Sequence, residues 1–307
     1  MNDIALLIKS YARDRAYVDR LVPSLTRHNV EGLPVYVVVP QADKPQFDEY
    51  VNRGLQVLSE EEVAGGNLVG DGAHGLSAGY LNQEIVKLSF WELGLATNYF
   101  CVDSDAVFIR DFGAVDFLRR PGEPYTVLVQ DKDLHAEPRY YRDHWQGREE
   151  SIRRIMEIVG LDDPIARTCH GHQIFSSRVL QSFRDDFLIP RGWTYADAVR
   201  EVPYEFTWYN MWLQKSHAIP IHQIEPLVKV FHNEEQHVAS VARGIEVEDL
   251  ARAYLAVVVN SNYSRDLGPV AAEADKVSLM GQYLSYQELA RVLGAKGAAT
   301  FRRRLGR

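Results

Sequence analysis

The sequence is poor in cysteine. Cys101 and Cys169 are its only two among 307 residues, too few for a disulfide framework, and no CxxC pair offers half of a zinc site. Reduced thiols are therefore expected. Long apolar runs are also missing: nothing approaches the roughly 20 residues that a membrane-spanning helix needs. The opening MNDIALLIKSYARD turns charged after a short apolar stretch. It has neither the longer apolar region nor the small-residue cleavage site of a secretory signal, so a cytoplasmic location is expected. Positive charge is not in excess. Lys and Arg number 34 against 42 Asp and Glu, for a net charge of −8, which argues against nucleic acid as a partner of the whole surface. Internal repeats, low-complexity linkers and strict phosphate-loop spacings are absent as well.

What is present is an α/β rhythm. Ile4–Lys9 and Pro34–Pro40 are short apolar runs of the kind that form buried parallel strands, and Leu55–Leu58 is a third. Between them, Tyr17, Val18, Leu21, Val22 and Leu25 fall on one face of a helix over Asp14–His28, and Lys44–Gly54 reads as a second helix. This βαβαβ order implies a parallel sheet with right-handed crossovers. Gly65, Gly66, Gly70, Gly72, Gly75 and Gly79 make Val63–Gly79 a loop. Leu81–Gly94 is an amphipathic helix, followed by strands at Asn98–Val102, Val107–Ile109 and Tyr125–Gln130. Helices are expected around Glu149–Val159, Arg178–Phe187, Asp197–Arg200 and Tyr204–Gln214. Late strands are expected at His172–Ser176, Ile219–Ile224 and Leu227–Phe231. From Glu246 the pattern turns helical, through Leu250–Asn260 and Asp275–Leu293.

The strongest chemical signal is Asp103-Ser104-Asp105. The run YFCVDSDAVFI sets two carboxylates just past a buried apolar strand, and open α/β sheets bind ligands at the carboxyl ends of their strands. In an extended segment residues two apart point the same way, so both carboxylates can address one hard cation such as Mn²⁺ or Mg²⁺ that also bridges substrate phosphates. A second constellation, Pro203-Tyr204-Glu205-Phe206-Thr207-Trp208-Tyr209-Asn210, places one carboxylate among four aromatics. Rings of this kind stack on the C–H faces of sugars, and a carboxylate can take a proton from a hydroxyl.

The stretch Gly79–Arg110, GYLNQEIVKLSFWELGLATNYFCVDSDAVFIR, resembles the corresponding stretch of GT-A glycosyltransferases. It is most similar to a bacterial group carrying a QxxxKL…DSD arrangement. The resemblance implies a GT-A-like, Rossmann-related, mixed but mostly parallel sheet flanked by helices. It implies a catalytic domain over residues 1–240 and a helical C-terminal region over 241–307. It also implies transfer of a sugar from a nucleotide-sugar donor to a glycan or lipid-linked acceptor. Gln83 and Lys87 match the helix that lends polar groups to the donor. They are four apart and share a face, with Lys87 suited to a phosphate. IALLIKSYARD resembles the opening strand of such enzymes, which maps Lys9, Ser10, Tyr11 and Arg13 onto the nucleotide loop, with Ser104 also on the donor side. His232, in Val230-Phe231-His232-Asn233, matches the late histidine that completes many GT-A metal sites. Glu205 matches the acceptor-side acid, the general base of an inverting transfer. His170 and His172 map to the acceptor side of the sugar.

Rival readings remain open. The same carboxylates could serve a nucleotidyltransferase, a phosphatase-like hydrolase or another metal-dependent nucleotide-sugar enzyme, and the chain could be a sugar-binding module without turnover. Lys9-Ser10-Tyr11 stands where a nucleotidyltransferase usually carries a glycine-rich loop. Cys169-His170-Gly171-His172 is too compact for tetrahedral zinc. The basic C-terminal end, including Arg291, Lys296, Arg302, Arg303, Arg304 and Arg307, suits peripheral contact with an anionic membrane.

Overall fold

The structure, a computed structural model, describes residues 2–128, 146–167, 171–231, 240 and 244–259. The helix expected at Asp275–Leu293 and the basic C-terminal end lie outside the described residues. The contacts divide the chain into two compact units that are not contiguous in sequence. The first holds residues 1–15, 30–103 and 112–226, and the second holds 16–29, 104–111 and 227–307.

The first unit is built on a five-stranded sheet. Its strands are β1 (Ala5–Lys9), β2 (Val35–Val39), β3 (Gln56–Ser59), β4 (Asn98–Asp103) and an edge strand at Ile174–Ser176. The order is β3, β2, β1, β4, edge strand; the first four run parallel and the edge strand antiparallel to β4. The register sets Lys9 beside Asp103 and Val38, so the ends of β1 and β4 finish level. Runs such as VYVVV are buried at every position, as strands covered on both faces require. The mixed, mostly parallel sheet flanked by helices is the fold class expected from the sequence.

Lys44–Gly54 departs from the expected α-helix. It forms two short 3₁₀ stretches, Lys44–Gln46 and Asp48–Arg53. Pro45 opens the first, and Gly54, left-handed at φ +84°, ends the second. The glycine-rich segment begins later than expected, because Glu60–Ala64 is a short helix (α2) with a complete capping box on Ser59 and Glu62. The next helix, α3 (Ala78–Ser89), is capped by Ser77 and passes into a 3₁₀ turn at Phe90–Leu93. Tyr99 in β4 donates its hydroxyl to the Lys87 carbonyl at 2.6 Å, which fastens the last turn of α3 to the sheet.

Helix α4 (Gln146–Val159), α5 (Ser177–Ser182), α6 (Tyr195–Glu201) and α7 (Glu205–Ser216) complete the layer around a core rich in Phe175, Phe183, Phe187 and Trp208. Helix α7 buries residues on nearly all sides, the pattern of a helix inside a core. Small pairs finish the unit. β6 (Leu118–Arg120) pairs antiparallel with β7 (Glu123–Pro124), and β8 (Thr126–Val127) pairs with a two-residue strand at Gln223–Ile224. Only those last two residues of the expected Ile219–Ile224 strand are extended in a ladder.

The second unit holds a three-stranded sheet. Its strands are β5 (Ala106–Phe108), Val228–Phe231 and Ala256–Val259. The last lies in the middle, parallel to Val228–Phe231 and antiparallel to β5. Here the sequence expectation needs correction. Helix continues only over Val247–Ala251 (α8), and the rest of Leu250–Asn260 contains a strand. Three successive valines are β-branched, and partners on both sides pair the backbone of this segment. In the same unit α1 (Arg15–His28) buries Val18, Leu21, Val22 and Leu25. The Ser24 hydroxyl accepts from the Phe108 amide at 3.1 Å.

Candidate functional site

The parallel strands deliver their functional side chains to the carboxyl edge of the sheet. Asp103 is the last residue of β4, with its side chain 46% exposed. Ser104 and Asp105 form the turn into β5 and are buried. Strand alternation therefore stops at Asp103 and does not run through the whole motif.

Two buried nitrogens face Asp103. Lys87 Nζ is 3.9 Å from Oδ1, and His172 Nε2 is 3.5 Å from Oδ2. Lys87 comes from the last turn of α3. His172 is held by its neighbour: the Gln173 carbonyl accepts from the Cys101 amide at 2.9 Å, and the Gln173 side chain donates to the Val127 carbonyl at 3.1 Å. That pairing sets the residue before it against the end of β4, where it is 1% exposed.

Lys87 leans further toward Glu205. Its Nζ donates to Oε1 at 2.8 Å, with both side chains 7% exposed, and it stands 4.6 Å from the centre of the Phe206 ring. Burial works against the lysine charge, but Glu205 and then Asp103 outweigh it and hold its pKa above the ordinary lysine range. Glu205 is the first residue of α7, where a negative charge also suits the helix dipole. Glu84, one turn before Lys87, is 1% exposed. Burial, reinforced by the charge of Glu205, pushes its carboxyl well above the usual range. Lys87 and a hydrogen bond from Tyr80 oppose the shift.

Lys9, at the end of β1, is fully engaged inside the protein. It lies 2.7 Å from Glu60, the first residue of α2, and donates to the Ser10 carbonyl at 2.7 Å. Burial lowers its pKa, with Glu60 pulling the other way. Ser10 is 3% exposed, and its buried hydroxyl has no hydrogen-bond partner among the described residues. Beyond it, Tyr11 and Arg13 are exposed. The Ala12 amide donates to Asp43 at 2.8 Å and pins the loop. Gln83 is half-buried.

Glu205 opens on a small cavity of about 70 Å³ that it shares with Arg148, Tyr204 and Thr207. Tyr204 also lines a larger polar cleft of about 470 Å³ with His74, Arg153, Arg154, Glu157 and Glu201.

The structure thus brings Asp103, Lys87 and Glu205 into one cluster in the first unit. His232 and His170 lie outside the described residues. Glu84 escaped the sequence reading because Leu81, Ile85 and Leu88 around it read as core. Its spacing from Lys87 was the available signal. Among the described residues no three His, Cys, Asp or Glu side chains gather closely enough to hold a metal by themselves, and no helix is long and apolar enough to cross a membrane.

Fold and site together define a mixed α/β protein with a charged cluster where its parallel strands end. The chain belongs to a family described as a family of unknown function (DUF6492), which matches residues 1–276. No curated protein matches it. The solved structures similar to it include these two. Mouse xyloside xylosyltransferase 1, in its apo form, aligns with a TM-score of 0.47 and 12% identity over 86% of this chain and 99% of its own. The apo structure of the bifunctional glycosyltransferase WbbM aligns with a TM-score of 0.48 and 12% identity, over 86% of this chain and 47% of its own.

Proposed function

We propose that the protein is a metal-dependent glycosyltransferase. It moves a sugar from a nucleotide-sugar to a glycan or lipid-linked acceptor, as in assembly of a bacterial surface polysaccharide. The observation that carries this reading is the pairing of a half-exposed carboxylate, Asp103, with a buried one, Glu205, through Lys87 at the carboxyl edge of the sheet.

The donor set fits a hard cation. A carboxylate at a strand end, with Asp105 two residues on, offers oxygen ligands. An ion of this kind usually finishes its coordination on water and substrate phosphates. His232 is the further ligand in this reading. A bound Mn²⁺ or Mg²⁺ supplies positive charge for the departing nucleoside diphosphate. On the donor side, the Ser10 hydroxyl offers a hydrogen bond, and Tyr11 and Arg13 offer a ring and a cation to the nucleotide. On the acceptor side, Glu205 faces a cavity and takes the hydroxyl proton in an inverting transfer. Tyr204 leads from that cavity to the larger cleft, which has room for the rest of the acceptor. The basic C-terminal end would bring the site to a membrane-borne acceptor.

The test is a panel of nucleotide-sugars incubated with protein and Mn²⁺, read as released nucleoside diphosphate and transferred sugar. Asp103→Asn and Asp105→Asn should each abolish turnover, and Glu205→Gln should slow it by roughly 10²–10⁴-fold. Turnover that survives a chelator and both aspartate changes contradicts the metal reading.

A further inference from the structure

The two oxygens of Asp103 are not equivalent. Oδ1 faces Lys87 at 3.9 Å, and that ammonium is already committed to Glu205 at 2.8 Å. Oδ2 faces His172 Nε2 at 3.5 Å, within ion-pair range but not aligned as a hydrogen bond. The imidazole is 1% exposed while the Asp103 side chain is 46% exposed. A buried ring therefore stands behind a carboxylate that faces outward. The ring has little freedom, because the backbone of Gln173 pairs with β4 and its amide is tied to Val127.

We infer that His172 is a positioning residue for the cation site: it holds Asp103 from behind so that the exposed side of the carboxylate is presented to the metal. The inference rests on the cation reading above and adds a residue to it. Groups that hydrogen-bond a metal's carboxylate ligands fix their orientation, and losing one typically weakens metal binding about 10–100-fold. A carboxylate at the end of a strand, beside a turn, has rotamers to lose. The ring nitrogen beneath it limits that freedom without occupying the outward face. Lys87 serves this purpose less well, because its nearer partner is Glu205.

The experiment is titration of the full chain with Mn²⁺ alone, read by loss of the free-ion electron paramagnetic resonance signal. Wild type, Asp103→Asn, His172→Leu and His172→Gln are compared. Leucine removes the donor and keeps much of the volume. Glutamine restores an N–H near the position of Nε2. The inference predicts at least tenfold weaker binding for His172→Leu and recovery to within about threefold of wild type for His172→Gln. Pulsed spectra of the bound ion should show no nitrogen coupling that disappears with His172. Equal Mn²⁺ affinity in wild type and His172→Leu overturns the inference. So does an equal loss in both His172 variants, which would mark a packing role, or a nitrogen coupling lost in His172→Gln, which would make the ring a direct ligand. In each of those cases the cation reading stands if Asp103→Asn still abolishes binding. If wild type and Asp103→Asn bind Mn²⁺ alike, or neither binds it, the cation reading itself fails and takes the inference with it.

Discussion

At the scale of single residues, the economy of charge around Lys87 decides most of what the site can do. An ammonium and a carboxylate that are each 7% exposed are costly to desolvate, and removing one partner strands the other. Lys87→Met should therefore destabilise the protein by about 3–5 kcal/mol, and Lys87→Met with Glu205→Gln should recover most of that loss. Denaturant unfolding of the two single variants and the double one measures the coupling. Strictly additive effects would mean that the pair is not made. Glu84 adds a dependence on pH. Its folded carboxyl keeps a proton that the unfolded chain gives up near pH 4.3. The stability this contributes is complete below that pH and is lost as pH rises through the higher folded value. Glu84→Gln is neutral at every pH, so its melting temperature should gain on wild type as pH rises above about 4.3, the unfolded value. A gap that stays constant across the range contradicts the assignment.

At the scale of elements, legibility followed how local the cause was. β1, β2 and β4 were readable because each is a short apolar run buried on both faces; β3 was read from Leu55–Leu58, although Gln56 in it is exposed. α1 and α3 were readable because their apolar residues repeat at helical spacing. The 3₁₀ character of Lys44–Gly54 was not, because Pro45 and Gly54 tighten a segment whose periodicity still reads as helical. Ala256–Val259 was misread for a different reason. The helical pattern before it is real, but its own conformation comes from pairing with Val228–Phe231 and β5, partners distant in sequence. Carbon secondary shifts of Ala256, Val257 and Val258 should be strand-like, and helix-like values would contradict that pairing. The site divides in the same way. Asp103 and Glu205 stood out from their neighbours in sequence. That Lys87 bridges them is a tertiary fact, and so is the approach of His172 to Asp103.

At the scale of the whole molecule, the family carries no assigned activity, and the functional claim rests on the cluster at the sheet edge. Its central element is that Asp103 binds a divalent cation together with a nucleoside diphosphate. A ligand that binds only the native state raises apparent stability by RT ln(1 + [L]/Kd), about 2.7 kcal/mol at a hundredfold excess over Kd. The most direct measurement is thermal unfolding of wild type and Asp103→Asn with nucleoside diphosphates, with and without Mn²⁺. The account predicts that one nucleotide raises the wild-type melting temperature only when Mn²⁺ is present, and that Asp103→Asn shows no such rise. A nucleotide shift that is the same with and without the metal, or that survives Asp103→Asn, would contradict it.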